Sequence, residues 1–514
     1  MRFFNTRSRN APPLAGEVSG RRTDGGGPFP PFRKAPLCHF VTSPPRVGEY
    51  RWGRLAGALL LATALSGCLS TPYETPAVNT PDTFAHATAQ GAYAAPDKWW
   101  ETFNDARLNR LIETALVKNN DLAAAALRVQ KAQLQVRGAR LDQWPQASGS
   151  VSARKSLNDS GSSFVGDDGT VQSSGDDVTY SASFSLAYEL DLWGRLKATT
   201  DAARFEATAT EADLEAVRLA LIGTTAQAYW QIAYTHQQIR DAELSLDYAR
   251  RVRDMVRVQH QAGSVSGIEA AEADQTVNAQ EAGLSDLRQQ LVENRAALKL
   301  LLNGEAWPET DEATELPVYD FPAIAPGLPA ELLARRPDLK AAETRLRGTL
   351  RSVDATRASM YPALSLTGST GGSSTELGKV LSDPSSALGV GLSLPFLNFA
   401  QNDITVKSAR KDYEIAVVEF RQTLLEAFSD VDTALSAHTR LTEQGAKLDA
   451  TLAAAERSEQ LYALRYRTGA VALRVWLDAQ EQARSARLSR DNNRLSRLIN
   501  QATIYQALGG NTAQ

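Results

Sequence analysis

Cysteine is nearly absent from this sequence: 514 residues hold two, Cys38 and Cys68, alongside five histidines. Neither type clusters, so a disulfide framework or a His/Cys metal site is not what organises the chain. Positive charge is not in surplus either, since 55 Lys and Arg stand against 59 Asp and Glu for a formal net charge of −4. Nothing in that balance points to nucleic acid. A long hydrophobic run is also missing. The best candidate, Leu55–Leu65, has eleven residues, whereas a helix needs about twenty to cross a bilayer.

That short run is nonetheless informative. Arg51 and Arg54 precede it and Leu65-Ser66-Gly67-Cys68 comes after it, the layout of a secretory signal. The Leu-Ser-Gly-Cys end resembles the bacterial lipoprotein signal, which implies that Cys68 is lipidated and becomes the first mature residue. Leu69 is next rather than the Asp of an inner-membrane retention signal, so the outer membrane is expected. Removing residues 1–67 takes away ten basic and three acidic residues, leaving 45 against 56, a net −11. Residues 1 to about 46 are rich in Pro, Gly and Arg and read as neither signal nor domain.

Downstream, the decisive stretch is Tyr180–Lys197. Tyr180, Ala182, Phe184, Leu186, Tyr188 and Leu190 alternate with Ser181, Ser183, Ser185 and Glu189. Alternation of that length is a strand signal, with one face apolar enough for lipid and the other small and polar. After Leu192-Trp193-Gly194 the pattern becomes helical for some 65 residues. Leu214, Val217, Leu221, Ala228, Ile232, Ile239, Ala242, Leu246, Ala249 and Val256 advance mostly by threes and fours, as in a coiled-coil seam. Such a helix is roughly 100 Å long, too long for a soluble core, so it lies along other helices or other subunits.

Around this stretch, residues 69–98 read as an extended tether and a helix is expected through Leu108, Leu111, Ile112 and Ala115. A second helix is expected from Asp121 to Trp144-Pro145. Strands are expected at 146–158 and 178–190, joined by a polar loop. The long helix breaks at Ala262-Gly263-Ser264, and a returning helix from about Gly267 stops at Asn303-Gly304. The programme then repeats. Asp338-Leu339 matches Asp121-Leu122 and Tyr361-Pro362 matches Trp144-Pro145, each 217 residues on. Phe399 comes after Trp193, and Gly469 after Gly263, by 206. The change of offset is a deletion of 11 residues in the second hairpin, whose strands are expected near Leu364–Gly368 and Leu388–Phe396. The chain is an internal duplication.

Five parts are therefore expected. An upstream extension and signal occupy 1–67, and a lipid-anchored tether 68–100. A first repeat fills 101–304, with its hairpin at 146–190 and helix pair at 194–303. A linker covers 305–330, and a second repeat 331–510, with hairpin 363–396 and helix pair 402–508. The fold class is mainly α with a membrane β-barrel portion. Four strands do not close a transmembrane barrel, for which about eight is the minimum. An open edge in lipid leaves backbone groups unsatisfied, so the barrel is shared between subunits.

The sequence resembles the TolC-like outer-membrane efflux proteins, in particular their NodT/OprM-type lipoprotein branch. The likeness runs over about residues 65–510. It is carried by Cys68, by Trp99-Trp100 with Phe103 and Asp105, and by Asn120-Asp121-Leu122. Tyr188–Arg195, Arg336-Pro337-Asp338-Leu339, Tyr466-Arg467-Thr468-Gly469 and Leu477-Asp478-Ala479-Gln480 complete it. The resemblance implies a homotrimer in which three four-stranded contributions make one twelve-stranded barrel, continued by a helical barrel in the periplasm of a Gram-negative bacterium. It implies a periplasmic adaptor and an inner-membrane pump, RND type, as partners, and passive exit of drugs or other small toxic solutes. No cofactor is implied beyond the lipid on Cys68, and no nucleic acid.

Carried over position by position, the pore gate falls on Arg474 and Asp478, with Glu272 the first-repeat counterpart of Asp478. Gly263 and Gly469 make the tip turns. Arg474 departs from the apolar residue usual in OprM-like relatives, so an Arg474–Asp478 contact is expected, within a helix or between subunits; the bland reading is solvated charge at a helix tip. Trp193 and Phe399 read as membrane-interface anchors rather than ligand contacts. His236, His260 and Gln259 read as surface helix positions, since no nucleophile accompanies them, and no constellation supports an enzyme. Two other readings stay open: a duct for a siderophore, metal ion or other exported solute, and a non-transporting lipoprotein that spans the periplasm as a coiled coil. The composition of residues 1–46 further predicts a true translation start near Val41 or Val47. N-terminal mass spectrometry should then recover no peptide from residues 1–40.

Overall fold

The computed structural model describes residues 70–510 apart from 79, 88–90, 92, 94–97, 156–163, 166–170, 173–177 and 319–323. All lie within one compact unit, Leu59–Gln514. The first repeat runs α1 (Ala106–Lys118), α2 (Asn120–Leu141), β1 (Gln146–Lys155), β2 (Val178–Leu190), α3 (Arg195–Gln261) and α4 (Gly267–Leu301). The second runs α5 (Pro337–Ala358), β3 (Ala363–Ser374), β4 (Ser385–Ser393), α6 (Phe399–Arg467) and α7 (Leu473–Ala507). Among the described residues, no helix is long and apolar enough to cross a membrane.

The strands form one antiparallel sheet in the order β1-β2-β3-β4. Its register carries the duplication. Gln146 faces Ala187 in the first hairpin and Ala363 faces Ser393 in the second, which is the same pair moved by the sequence offsets of 217 and 206. Ser148, Ser150 and Ser152 meet Ser185, Ser183 and Ser181 in hydroxyl pairs at 2.7–2.9 Å. One face is therefore a hydroxyl ladder. The other presents Val151, Phe184, Leu388, Val390 and Leu392 outward, and Leu388 is 95% exposed. Apolar side chains in such a row belong against lipid.

Several boundaries differ from the expected ones, each for a local reason. α2 begins at Asn120 rather than Asp121, because Asn119 caps it: its side chain accepts the Leu122 N–H at 3.0 Å while its amide donates to Leu301. β3 runs on to Ser374 because β2 pairs with it as far as Tyr180–Ser374. β4 stops at Ser393, since Pro395 has no N–H to give and starts a 3₁₀ turn. Within the polar loop, Phe164-Val165 and Val171-Gln172 make a small antiparallel ladder.

The main core sits at mid-height, where α1, α3 and α7 meet. Trp99 stacks on Tyr505 at 5.1 Å and Phe103 meets Trp230 at 4.8 Å, inside a cluster with Leu108, Leu111 and Ile112. Asp105 caps α1 and also accepts the Tyr229 hydroxyl at 2.7 Å. Burial and that carboxylate push the Tyr229 hydroxyl far above its ordinary pKa. The linker is pinned by Glu312, whose side chain is 3% exposed and takes Arg295 at 2.8 Å and His236 Nε2 at 2.7 Å. His236 is thus a half-buried partner rather than a surface position. The expected tether is extended but packed: Phe84 lies in a core with Leu424 and Phe428, and Arg335 covers the Tyr93 ring.

β1 and β4 are left as open edges. The offsets that relate the hairpins also map the internal β2–β3 junction onto a junction between copies. Leu186 facing Gly368 becomes Leu392 facing Val151. Leu392→Cys with Val151→Cys should therefore give disulfide-linked oligomers on oxidation in membranes. The slipped pair Leu392→Cys with Ser152→Cys should not, because one residue of slip puts the two side chains on opposite faces.

Candidate functional site

The two long hairpins end in matching turns. Gly263 and Gly469 stand at φ 71° and 75°, the left-handed region where a side chain is strained. Around them Ser264 N–H donates to Gln259 O at 2.9 Å and Ala470 N–H to Arg465 O at 2.8 Å, so both helices stop in the same way. The return helices begin differently. α4 opens with a capping box of Ser266 and Glu269, while Ala472 before α7 offers no side chain to cap with. The second hairpin's tip is consequently held by packing more than by its own turn.

That packing centres on Trp476, which is 2% exposed. It lies edge-on to Tyr248 of α3 at 5.7 Å, stacks on Tyr466 of α6 at 5.1 Å, and donates its indole N–H to Glu459 at 3.1 Å. Val252, Val256, Ala273, Ala463 and Leu473 complete the cluster. Tyr466 also donates to Gln259 Oε1 at 3.1 Å. One apolar knot thus ties the α6–α7 tip to the α3–α4 tip. Trp476 is absent from the sequence expectations, which single out its charged neighbours at 474 and 478. The signal that finds it is the helical spacing of Leu473, Trp476, Ala479 and Ala483, all buried.

Two residues along a helix turn the direction by about 200°, so Arg474 and Asp478 face away from Trp476 and are exposed. Both line a recess of about 620 Å³ bounded by α3, α4, α6 and α7, and Glu272 lines it too. Arg487 pairs with Glu456 there and Arg484 with Glu481. Burial raises the Asp241 carboxyl pKa in the same recess, opposed by Arg487, Arg240 and Arg490. The expected Arg474–Asp478 contact is not made within the chain: among the described residues neither forms an ion pair. An arginine one turn before an acid is the weaker order on a helix, since the cation then lies nearer the N-terminal end of the dipole. Glu272 and Asp478 thus bring negative charge to the same recess that Arg474 enters with positive charge.

The two aromatic positions at the strand–helix junction behave differently. Trp193 donates its indole N–H to Pro362 O at 2.8 Å and stacks on Tyr361 at 5.0 Å, joining the repeats. Phe399 is 78% exposed. Its counterpart partner by the duplication is Trp144, also exposed at 67%, so the same stack awaits a second copy. Cys68 lies outside the described residues.

Trp476→Ala removes the largest side chain of the tip cluster, a change of about 3–5 kcal/mol for a buried aromatic. Limited proteolysis should then cut at residues 468–472 much faster than in the parent, with the mid-height core still protected. Equal cutting rates would show that the tip is held elsewhere.

Comparison with known proteins agrees with this architecture. The family described as "Outer membrane efflux protein" matches residues 111–304 and 328–510. The pyoverdine export outer membrane protein OpmQ of Pseudomonas putida is 32% identical over 455 residues, covering 88% of this chain and 96% of that protein. The cation efflux system protein CusC of Escherichia coli is 29% identical, over 88% of this chain and 98% of its own. A solved structure of CusC aligns at TM-score 0.71 and 26% identity, over 86% of this chain and 99% of that one. The open state of the Neisseria gonorrhoeae MtrE outer membrane channel aligns at 0.69 and 28%, over 86% and 98%. The hairpins are thus parts of an outer-membrane β-barrel that a helical barrel continues into the periplasm, and this chain belongs to the outer membrane efflux protein family.

Proposed function

We propose that three copies of this chain form the exit duct of a tripartite export system, fed by an RND-type inner-membrane pump through a periplasmic adaptor. The observation that carries the reading is a sheet of four strands with two open edges, each hairpin running directly into a helix of 67 or 69 residues. Three such sheets supply twelve strands, and the helices continue the same wall inward. The apolar outer row on the sheet counts against a mere periplasmic spacer. The lipid on Cys68 is part of the same reading.

The gate belongs at the tips. Three Asp478 side chains, with Glu272 beside them, would form an anionic ring that favours cations. The Trp476 knot holds the duct closed, and adaptor binding shifts the balance toward open tips. Drugs or other small toxic solutes are the proposed cargo. A siderophore is the second reading, favoured by the relative named for pyoverdine export. In planar bilayers the parent should show small single-channel conductance, and Trp476→Ala, which loosens the knot, a sharply larger one. Asp478→Ala alone should lower cation selectivity. Absence of conductance in every variant would count against the channel, and unchanged selectivity against the ring.

A further inference from the structure

The tether is held down at Thr71. Thr71 donates its backbone N–H and its hydroxyl to the two carboxylate oxygens of Asp354, at 3.0 and 2.6 Å. Asp354 is 4% exposed, and Arg351, one turn earlier on α5, pairs with it at 2.8 Å. A buried carboxylate is costly unless its acceptors are filled; here they are filled by a residue 283 positions away. Tyr73 continues the hold, with its hydroxyl on Glu343 at 3.3 Å and the Arg347 guanidinium 4.7 Å over its ring.

Beside this grip lies a second recess, of about 580 Å³, with Ser70 in its wall. Trp193 and Phe205 give it apolar sides, and Lys197 and Arg204 bring positive charge. Arg204 pairs with Asp201, while Lys197 is in no ion pair among the described residues. Trp193 comes three residues after the end of β2, the level at which interfacial aromatics sit on a membrane protein. An extended chain covers at most about 3.6 Å per residue. From Thr71 back to position 68 the reach is therefore no more than about 11 Å.

We propose that this recess seats the glycerol–ester end of the lipid carried by Cys68, and that Asp354 is the positioning residue that holds the anchor there. The proposal rests on lipidation of Cys68. Lys197 and Arg204 donate to the ester carbonyls, the first methylenes lie on Trp193 and Phe205, and the acyl chains continue into the bilayer. The anchor is then a fixed part of the barrel rim and not a loose leash.

The test uses the full chain in cells fed a fatty acid with a diazirine near its carboxyl end. After irradiation and digestion, mass spectrometry should find the Cys68 peptide joined through the lipid to the peptide bearing Trp193 or Phe205. Asp354→Asn and Thr71→Val, which loosen the grip, should lose most of that cross-link. Lys197→Glu, at an exposed position away from the packing, should weaken it without affecting assembly. A phospholipid-mass adduct on Trp193 or Phe205, with no Cys68 cross-link, would overturn the proposal in favour of a bilayer lipid. Absence of any adduct at these residues would overturn it as well. Failure of the lipidation reading is seen separately, as a Cys68 peptide that carries no label.

Discussion

A β-sheet in hydrocarbon has no water to satisfy its outer N–H and C=O groups, and each one left bare costs several kcal/mol. This sheet has four strands and two bare edges. The rest of the chain is shaped by that deficit. The edges call for other copies, and the duplication provides them with a ready template, because the junction between the two repeats already shows how one hairpin meets the next. Trp193 stacked on Tyr361 is that junction completed within one chain. Phe399 and Trp144, both exposed, are the same junction waiting for a neighbour.

The helices inherit the arrangement of the strands. Each long helix begins within a few residues of a strand end, so the wall of the barrel and the wall of the helical tube are one surface. The two tips of that tube are not built alike. The first has a capping box at its return helix and the second does not, so the second hairpin depends on the cluster around Trp476. Charge is arranged to match, with the apolar side of α7 spent on that cluster and its charged side turned to the recess shared with Glu272.

Much of this was legible in the residues alone, and the reasons are physical. Alternation in Tyr180–Leu190 had to mark a strand, and glycines 206 apart had to mark equivalent turns. The features that escaped were decided by partners that the sequence does not display. Gly368–Ser374 has little strand propensity of its own and is ordered by pairing with β2. The choice of Asn119 over Asp121 as cap depends on which of two good cap residues the chain geometry favours. His236 looked solvated because Glu312, its partner, is 76 residues away in an aperiodic linker. The tether of Pro, Thr and Ala shows no period, so nothing local announced that Phe84 would be buried.

The deletion that separates the two offsets has a consequence at the far end of the molecule. Residues 156–177 join the first pair of strands, and the shorter segment 375–384 joins the second. In a closed ring of three chains connections of two lengths would alternate, so the ring is threefold although its barrel is built on a near-sixfold plan. The first connection is also the richer in Ser, Asp and Gly. Sequence drift there escapes the apolar alternation that lipid imposes on the strands, so the connections can change while the bore stays the same.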